Sequence, residues 1–183
     1  PKFLTRKVNQ NPVYKQKFLE IYGEDATFEN ITDALVNFEK ALVTPNAKFD
    51  KFIGGDANAL NEDEKHGFEL FKKIGCINCH SGVNLGANLY YELKFDSGEG
   101  SQAGRYKVPS LRNIEVTAPY GDHGQFTSLE EVLSYLDQGV ENDTNLDPYL
   151  KEKGNRIPLS KEEKKYVISF LKTLTDYTFI KNN

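Results

Sequence analysis

Apolar residues recur every three or four positions along most of the chain, and this spacing predicts amphipathic helices. The first predicted helix begins at Asn11, a favourable N-cap, with Pro12 in the first helical position, and it ends before Gly23. The second begins after Thr27 and ends before Pro45. Its apolar face repeats at helical spacing and comprises Ile31, Leu35, Phe38 and Leu42.

Three further helices follow a connector at residues 44–59, where Pro and Gly interrupt any period. Each begins at a pair that can form a capping box, namely Asn61 with Glu64, Thr127 with Glu130, and Ser160 with Glu163. Residues 81–106 are rich in Gly, Asn and Ser and are predicted to form a long loop, which in a compact domain is usually functional. Because no strand pattern is convincing, the predicted fold class is all-α, with a helical extension over residues 1–58 and one domain over residues 59–183.

Composition narrows the class of protein without identifying it. The 183 residues are 38% hydrophobic and 27% charged, as in globular proteins, and a net charge of −4 argues against nucleic acid as a partner. No apolar run approaches the length of a membrane span. The chain starts at Pro1 and contains no Met, which favours a processed protein or a piece of a longer one.

The candidate chemistry is concentrated in one C-x-x-C-H motif, formed by Cys76, Cys79 and His80 directly after a predicted helix that ends at Gly75. A disulfide between Cys residues so close together would enclose almost no loop and would stabilise little. Two thiols on one turn can instead add to the two vinyl groups of a haem, and the next residue then presents an imidazole to the iron. The motif therefore predicts one covalently attached haem c and a redox function.

Two other functions of the Cys pair remain as alternatives. A zinc site could recruit His66 and His123, but their spacing is not that of zinc ligands. His66 falls on the polar side of its helix and is interpreted as solvated. A thioredoxin-like redox pair would need a βαβ context, which the pattern does not contain.

Several segments, taken in order with the C-x-x-C-H motif, resemble the C-terminal half of bacterial di-haem cytochrome c peroxidases and their MauG-like relatives. They are residues 107–114 (KVPSLRNI), 117–120 (TAPY), 128–132 (SLEEV) and 170–175 (FLKTLT). Residues 11–14 (NPVY) and 38–43 (FEKALV) resemble the stretch that joins the two haem domains of that family. The likeness covers nearly the whole chain.

The resemblance implies a cytochrome c-like haem domain in a periplasmic enzyme that reduces hydrogen peroxide to water. Electrons would enter the C-terminal haem from a small cytochrome or cupredoxin and pass to a peroxidatic haem in an N-terminal haem domain. MauG-like members oxidise a protein substrate instead, and peroxidases of the family are often homodimers. A calcium ion often lies between the domains, and its backbone carbonyl ligands would match Thr117 and Pro119.

Two residues of the 107–114 segment each have two candidate roles. Arg112 is a candidate for holding a haem propionate, since a guanidinium can bind a carboxylate through two hydrogen bonds, and the alternative is a salt bridge within or between domains. Pro109 is expected either to pack against the His80 ring or to make a rigid turn.

The sequence departs from the family pattern at two points. It contains a single C-x-x-C-H motif, which leaves three hypotheses: the electron-accepting domain of a di-haem enzyme, a one-haem electron carrier, or a haem sensor domain. The family's sixth iron ligand, Met or Tyr, is replaced by Leu136, which cannot bind iron. The remaining candidates are Tyr135, one residue and about 100° around the helix, His123 in an altered turn, and an open or water-bound position.

Overall fold

The computed structural model describes residues 1–86, 90–91, 106–121, 123–139, 150 and 152–182. The chain divides into two compact units, Pro1–Val43 and Thr44–Asn183. This boundary lies before the predicted one at residue 58, because residues 44–58 make long-range contacts with the second unit. Phe49 is buried in its core, and the N–H of Asn46 donates to the Asp176 carboxylate at 3.0 Å.

The first unit contains three helices, α1 (Lys2–Gln10), α2 (Pro12–Tyr22) and α3 (Phe28–Ala41). The predicted cap of α2 is confirmed, because the Asn11 side chain accepts from the backbone N–H groups of the first turn. Helix α3 begins at the predicted Thr27, whose hydroxyl forms a capping box with Asn30. Helix α1 was not predicted, since its residues precede the first clear capping signal.

The second unit is also helical, and the predicted all-α class is confirmed. Its elements are α4 (Lys48–Ile53), α5 (Glu62–Lys73), α6 (Cys76–Cys79), β1 (Tyr90–Tyr91), β2 (Tyr106–Lys107), a 3-10 turn (Ile114–Val116), α7 (Leu129–Gln138), α8 (Lys161–Lys172) and α9 (Tyr177–Asn182). The two-residue strands form a short antiparallel pair with Tyr90 opposite Lys107. They lie at the end of the predicted loop, most of which is outside the described residues.

Two of the three predicted capping boxes are confirmed, and the third is shifted by one residue. Asn61 with Glu64 begins α5, and Ser160 with Glu163 begins α8. At α7 the cap is Ser128 rather than the predicted Thr127. The Ser128 hydroxyl accepts from the N–H of Glu131, and the Glu131 carboxylate accepts from the N–H of Thr127 at 2.6 Å.

The core of the second unit forms where α5 crosses α8 at Gly67. A Cβ atom on Gly67 would lie 1.9 Å from the Tyr166 carbonyl oxygen and 2.9 Å from Cβ of Phe170, so only glycine permits this close approach. Phe170 is completely buried and its ring packs against those of Phe68 and Phe71 at centroid distances of 5.0 and 5.1 Å. This crossing fixes the C-terminal end of α5 and therefore the start of the Cys76–Cys79 turn.

A buried carboxylate links the C-terminal segment of the second unit to the start of that unit by hydrogen bonds. Asp176 is fully buried, and its Oδ1 atom accepts from the N–H groups of Thr178 and Phe179 and thereby caps α9. Its Oδ2 atom accepts from the N–H of Asn46 at 3.0 Å. Burial alone would raise the pKa of Asp176, but these hydrogen bonds and that of the Thr178 hydroxyl favour the ionised form and lower it.

Asp176→Asn is expected to lower the free energy of unfolding by about 3 kcal/mol at pH 7, because the amide Nδ2 would place a donor against a backbone donor. A depressed folded pKa stabilises the protein above the unfolded pKa, and this contribution is lost as the pH falls through the folded pKa. The difference between the two proteins should therefore shrink below about pH 4 in urea titrations. Asp56→Asn, an exposed turn carboxylate, is the control and should have little effect. A difference that persists unchanged at low pH would contradict this assignment.

Among the described residues, no helix has both the length and the apolar character needed to cross a membrane.

Candidate functional site

The C-x-x-C-H motif forms a single tight turn directly after α5. Gly75 adopts a left-handed conformation with φ of 93°, which L side chains rarely adopt, and turns the chain from α5 into α6. The N–H of His80 donates to the Cys76 carbonyl oxygen at 2.9 Å, so both thiols and the imidazole lie on one helical turn. This is the donor set that attachment of a c-type haem requires.

The His80 ring is oriented by backbone carbonyl groups. Its Nδ1 atom lies 3.2 Å from the Leu85 carbonyl oxygen, which can only accept, so the proton resides on Nδ1 and Nε2 is the nitrogen available for iron. Burial lowers the pKa of His80, while the carbonyls of Leu85 and Pro109 act in the opposite direction. A neutral imidazole held through its outer nitrogen is the usual form of a metal-ligating histidine.

The Cys76 thiol is held in its protonated form. Burial, with a smaller contribution from the neighbouring Cys79, raises the pKa of Cys76 to about 12. A thioredoxin-like Cys is activated by the opposite shift, towards a thiolate at neutral pH. Among the residues that the structure describes, no group of three or more His, Cys, Asp and Glu side chains is placed to hold a metal ion. His66, one of the two histidines of the zinc alternative, is exposed, and its ring contacts that of Tyr166.

The loop after His80 is packed against residues 108–112. The Ser110 hydroxyl donates to the Asn84 carbonyl oxygen at 2.6 Å. A Cβ atom on Gly86 would lie 3.1 Å from the carbonyl oxygens of Val108 and Pro109, so the two backbones are almost in contact. Pro109 therefore lies close to His80 and acts on it through its carbonyl group, whereas the roles predicted for it from the sequence involve only its ring.

Arg112 is fully engaged with protein acceptors. Its two terminal nitrogens each donate to one carboxylate oxygen of Asp50 at 2.7 Å. The remaining N–H groups donate to the carbonyl oxygens of Val83 and Thr44. The structure therefore places Arg112 in a salt bridge within the second unit, and a propionate contact would require one of these five N–H groups to leave its acceptor. No local pattern singles out Asp50, which lies 62 residues earlier.

The three residues considered around the sixth iron position lie in different surroundings. Leu136 packs against the main core, as do Leu129 and Leu133, which are buried on the same face of α7. Tyr135 packs with Leu150 and Ile157 in a separate small cluster, and its ring centroid lies 5.3 Å from that of Phe126. His123 is exposed, and its N–H donates to the Gln125 side chain.

The two backbone positions considered for calcium lie in an exposed stretch after the 3-10 turn. Thr117 and Pro119 are both exposed, and the peptide bond between Ala118 and Pro119 is cis. The segment is anchored at its end by Tyr120, whose hydroxyl donates to the Ile114 carbonyl oxygen at 2.7 Å.

Comparison with known proteins identifies a family whose members share this fold. A helical domain with a C-x-x-C-H turn and an outer-nitrogen-bonded histidine is typical of c-type haem domains. The family model of di-haem cytochrome c peroxidase matches residues 1–58. The crystal structure of a MauG-like protein associated with microbial copper homeostasis shares the fold, with a TM-score of 0.73, 23% identity, and coverage of 98% of this chain and 63% of that one.

Curated relatives agree with the family model. The cytochrome c551 peroxidase of Nitrosomonas europaea is 38% identical over 184 residues, which cover 90% of this chain and 50% of that protein. The methylamine utilization protein MauG of Methylorubrum extorquens is 30% identical over 178 residues, covering 89% and 49%. The chain belongs to the di-haem cytochrome c peroxidase and MauG family, and it spans about half the length of these relatives.

Proposed function

We propose that this chain is the electron-transfer haem domain of a periplasmic di-haem cytochrome c peroxidase, bearing one covalent haem c. The observation that carries the proposal is the single C-x-x-C-H turn with a carbonyl-oriented His80, in a chain that matches about half of its di-haem relatives. Hydrogen peroxide would be reduced at a second haem, in an N-terminal haem domain outside this sequence. The alternatives are a one-haem electron carrier and a MauG-like oxidase or haem sensor domain.

Each residue of the turn has a separate task in this proposal. Cys76 and Cys79 would hold the haem through thioether bonds, and Nε2 of His80 would be the axial ligand. The bound haem would supply one-electron redox chemistry. The protein holds the His80 proton on Nδ1 against the Leu85 carbonyl, and Ile77 of the turn packs with Ile74 and Leu85 in the apolar core of the second unit.

The first unit supports the proposal of an N-terminal haem domain as its partner. Only Ala26, Asn30 and Ile31 are buried among its 43 residues. Large apolar side chains are more than half exposed on all three helices, including Phe3, Val13, Ile21 and Phe38. Exposed apolar area of this extent marks a surface that another protein body covers. The family-model match over residues 1–58 includes this whole unit, so we infer that the N-terminal haem domain packs on it.

The other partners and ions are proposed on the basis of the family. A net charge of −4 suits a basic donor, either a small cytochrome or a cupredoxin, because complementary charge steers such encounters. Calcium bound by the carbonyls of Thr117 and Pro119, and a homodimer, complete the proposed assembly.

The electron-entry role is tested by rapid mixing of the ferric chain with a reduced small cytochrome or a reduced cupredoxin. We expect the haem to be reduced at a rate proportional to donor concentration and to slow with added salt. Reduction by dithionite but by neither protein donor would contradict the role in electron entry while leaving haem attachment intact.

We further propose that the sixth iron position has no protein ligand and is closed off by Leu136. Leu136 lies on the inward face of α7 with Leu129 and Leu133, whereas Tyr135 packs in a separate cluster with Leu150. An apolar side chain on that side would exclude water and peroxide without binding the iron. The opposite arrangement, a sixth position open to small molecules, would favour the MauG-like oxidase or haem sensor alternative, because a five-coordinate iron of that kind would react with peroxide itself.

Leu136→Met is expected to convert a high-spin ferric spectrum into a low-spin six-coordinate one. Leu and Met have similar volumes, so the exchange should cost little stability, and the thioether can bind iron where Leu cannot. Tyr135→Phe is the matched control and should leave the spectrum unchanged. A change to high spin on Tyr135→Phe would instead identify Tyr135 as the sixth ligand, and the same result with His123→Ala would identify His123.

A further inference from the structure

Three consecutive carbonyl groups after the C-x-x-C-H motif are each held by a side chain. The Val83 oxygen accepts from Nε and Nη2 of Arg112 at 3.0 and 2.8 Å. The Asn84 oxygen accepts from the Ser110 hydroxyl at 2.6 Å. The Leu85 oxygen faces Nδ1 of His80 at 3.2 Å. One of the two carbonyl groups that act on His80, that of Leu85, therefore belongs to a short loop whose other carbonyl groups are held by Arg112 and Ser110.

Arg112 is in turn fixed by Asp50. The two side chains form a bidentate pair with both N–O distances at 2.7 Å, and each side chain is only about one sixth exposed, at 15% and 16%. Such paired, charge-assisted hydrogen bonds define the orientation of a guanidinium more strictly than single contacts do. Asp50 lies on α4, so the network runs from α4 through Arg112 to the Val83 carbonyl, two residues before the Leu85 carbonyl that faces His80.

The loop is built so that a displacement at Val83 reaches Leu85. Leu85 is buried and adopts a left-handed conformation with φ of 51°, and its N–H donates to the Gly82 carbonyl oxygen. Gly86 is in near contact with the backbone of residues 108–110. With both ends constrained, residues 83–85 are expected to shift together rather than singly.

We propose that Asp50 and Arg112 are positioning residues for His80, acting through the carbonyl groups of residues 83–85. The proposal rests on the proposed function, since it concerns His80 as an axial ligand of haem. A hydrogen bond from Nδ1 to a carbonyl makes the imidazole a stronger donor to the metal, and this favours the ferric state. Loosening the loop weakens that bond, so the reduction potential of the haem rises.

The experiment measures the reduction potential of the haem-loaded full chain in variants that conserve net charge. Asp50→Asn combined with Arg112→Gln removes the ion pair without changing the net charge. Arg112→Lys keeps the positive charge but cannot form the two parallel hydrogen bonds to the Asp50 carboxylate. Both are expected to shift the potential upward. A role of the two charges acting only through space predicts no shift in Arg112→Lys, because that variant keeps both charges.

The matched control removes another ion pair from the same part of the chain. Lys48 on α4 pairs with Glu64, and neither residue contacts the 83–85 carbonyls in the described interactions. Lys48→Gln combined with Glu64→Gln is therefore expected to leave the potential unchanged, and Gln can still cap α5. An unchanged potential in both Arg112 variants, or an equal shift in the control, would overturn the proposal. If circular dichroism shows that the double Asp50 and Arg112 variant does not fold, the reduction potential of Arg112→Lys alone tests the proposal, with an upward shift supporting it and an unchanged potential contradicting it.

Failure of this inference is distinguishable from failure of the proposed function. All variants are first stained for haem on denaturing gels, and covalent haem is expected in each because Cys76 and Cys79 are unchanged. An unmodified chain without covalent haem would contradict the proposed function. Normal haem content with no shift in potential would contradict only the role of Asp50 and Arg112.

Discussion

Replacing Cys76 and Cys79 together by Ala is expected to abolish covalent haem attachment completely. The two thiols lie one helical turn apart and next to His80, and each would contribute one thioether bond to the haem. The variant and the unmodified chain are expressed together with a haem-attachment system and compared by haem staining after denaturing electrophoresis. The variant should show no stained band, and its intact mass should lack the mass of the haem.

His66→Ala is the control for this experiment. His66 is exposed, lies outside the C-x-x-C-H turn and contacts only the Tyr166 ring among the described ring contacts. Its replacement should leave haem attachment unchanged. A haem-stained band that persists after both Cys residues are removed would show that the haem is held elsewhere, and the assignment of the motif would be wrong.

Gly67→Ala is expected to destabilise the second unit severely. A Cβ atom there would lie 1.9 Å from the backbone carbonyl oxygen of Tyr166, and neither atom belongs to a flexible side chain that could move aside. Helices α5 and α8 would have to separate, which would loosen the packing of Phe170 at their crossing. The loss in free energy of unfolding should be on the order of 3 kcal/mol or more.

The prediction for Gly67 is checked by urea denaturation followed by circular dichroism. Glu69→Ala is the matched control, because Glu69 lies on the same helix but is exposed and pairs only with Lys72 among the salt bridges of the described residues. That change should alter stability by less than about 0.5 kcal/mol. Equal stability of Gly67→Ala and the unmodified chain would mean that the two helices do not cross as closely as the structure has them.

The sequence predicts helices well where a capping side chain stands directly before an apolar period. Asn11, Asn61 and Ser160 each mark a helix start that the structure confirms. Thr127 and Ser128 both suit an N-cap, and local pattern cannot rank them, since the choice depends on which hydroxyl faces the first turn. Helices α1 and α4 were missed because their N-cap residues, Pro1 and Ala47, have no side chain that can accept from the first turn.

The motif could be recognised from spacing alone, but its surroundings could not. C-x-x-C-H is a local signal, and the Leu85 carbonyl that faces His80 is only five residues away, whereas the polar pairs that fix the surrounding structure join residues far apart in sequence. Arg112 and Asp50 are separated by 62 positions, and Asp176 and Asn46 by 130. Such pairs depend on the tertiary packing of α4 against the loop and on the chain's C-terminal end. For the same reason the sequence alone could not decide whether Arg112 binds a haem propionate or forms a salt bridge.

The boundary between the two units differs from the predicted one because packing contacts, rather than Gly and Pro content, decide which unit residues 44–58 belong to. Residues 44–58 contain the Gly and Pro that predict a connector, yet Phe49 is buried in the second unit and Asp50 pairs with Arg112. The stretch therefore belongs to the haem-motif unit rather than to a free linker. It follows that α4 contributes both to the core and to the proposed orientation of His80.

The proposed electron-transfer role is tested most directly by the visible absorption spectrum of the purified chain before and after addition of hydrogen peroxide. We expect the spectrum of a covalent haem c that is reduced by dithionite and whose ferric form does not change with peroxide, because Leu136 closes the sixth position. A rapid spectral change on adding peroxide would contradict the electron-transfer assignment and would make this haem itself the site of peroxide chemistry.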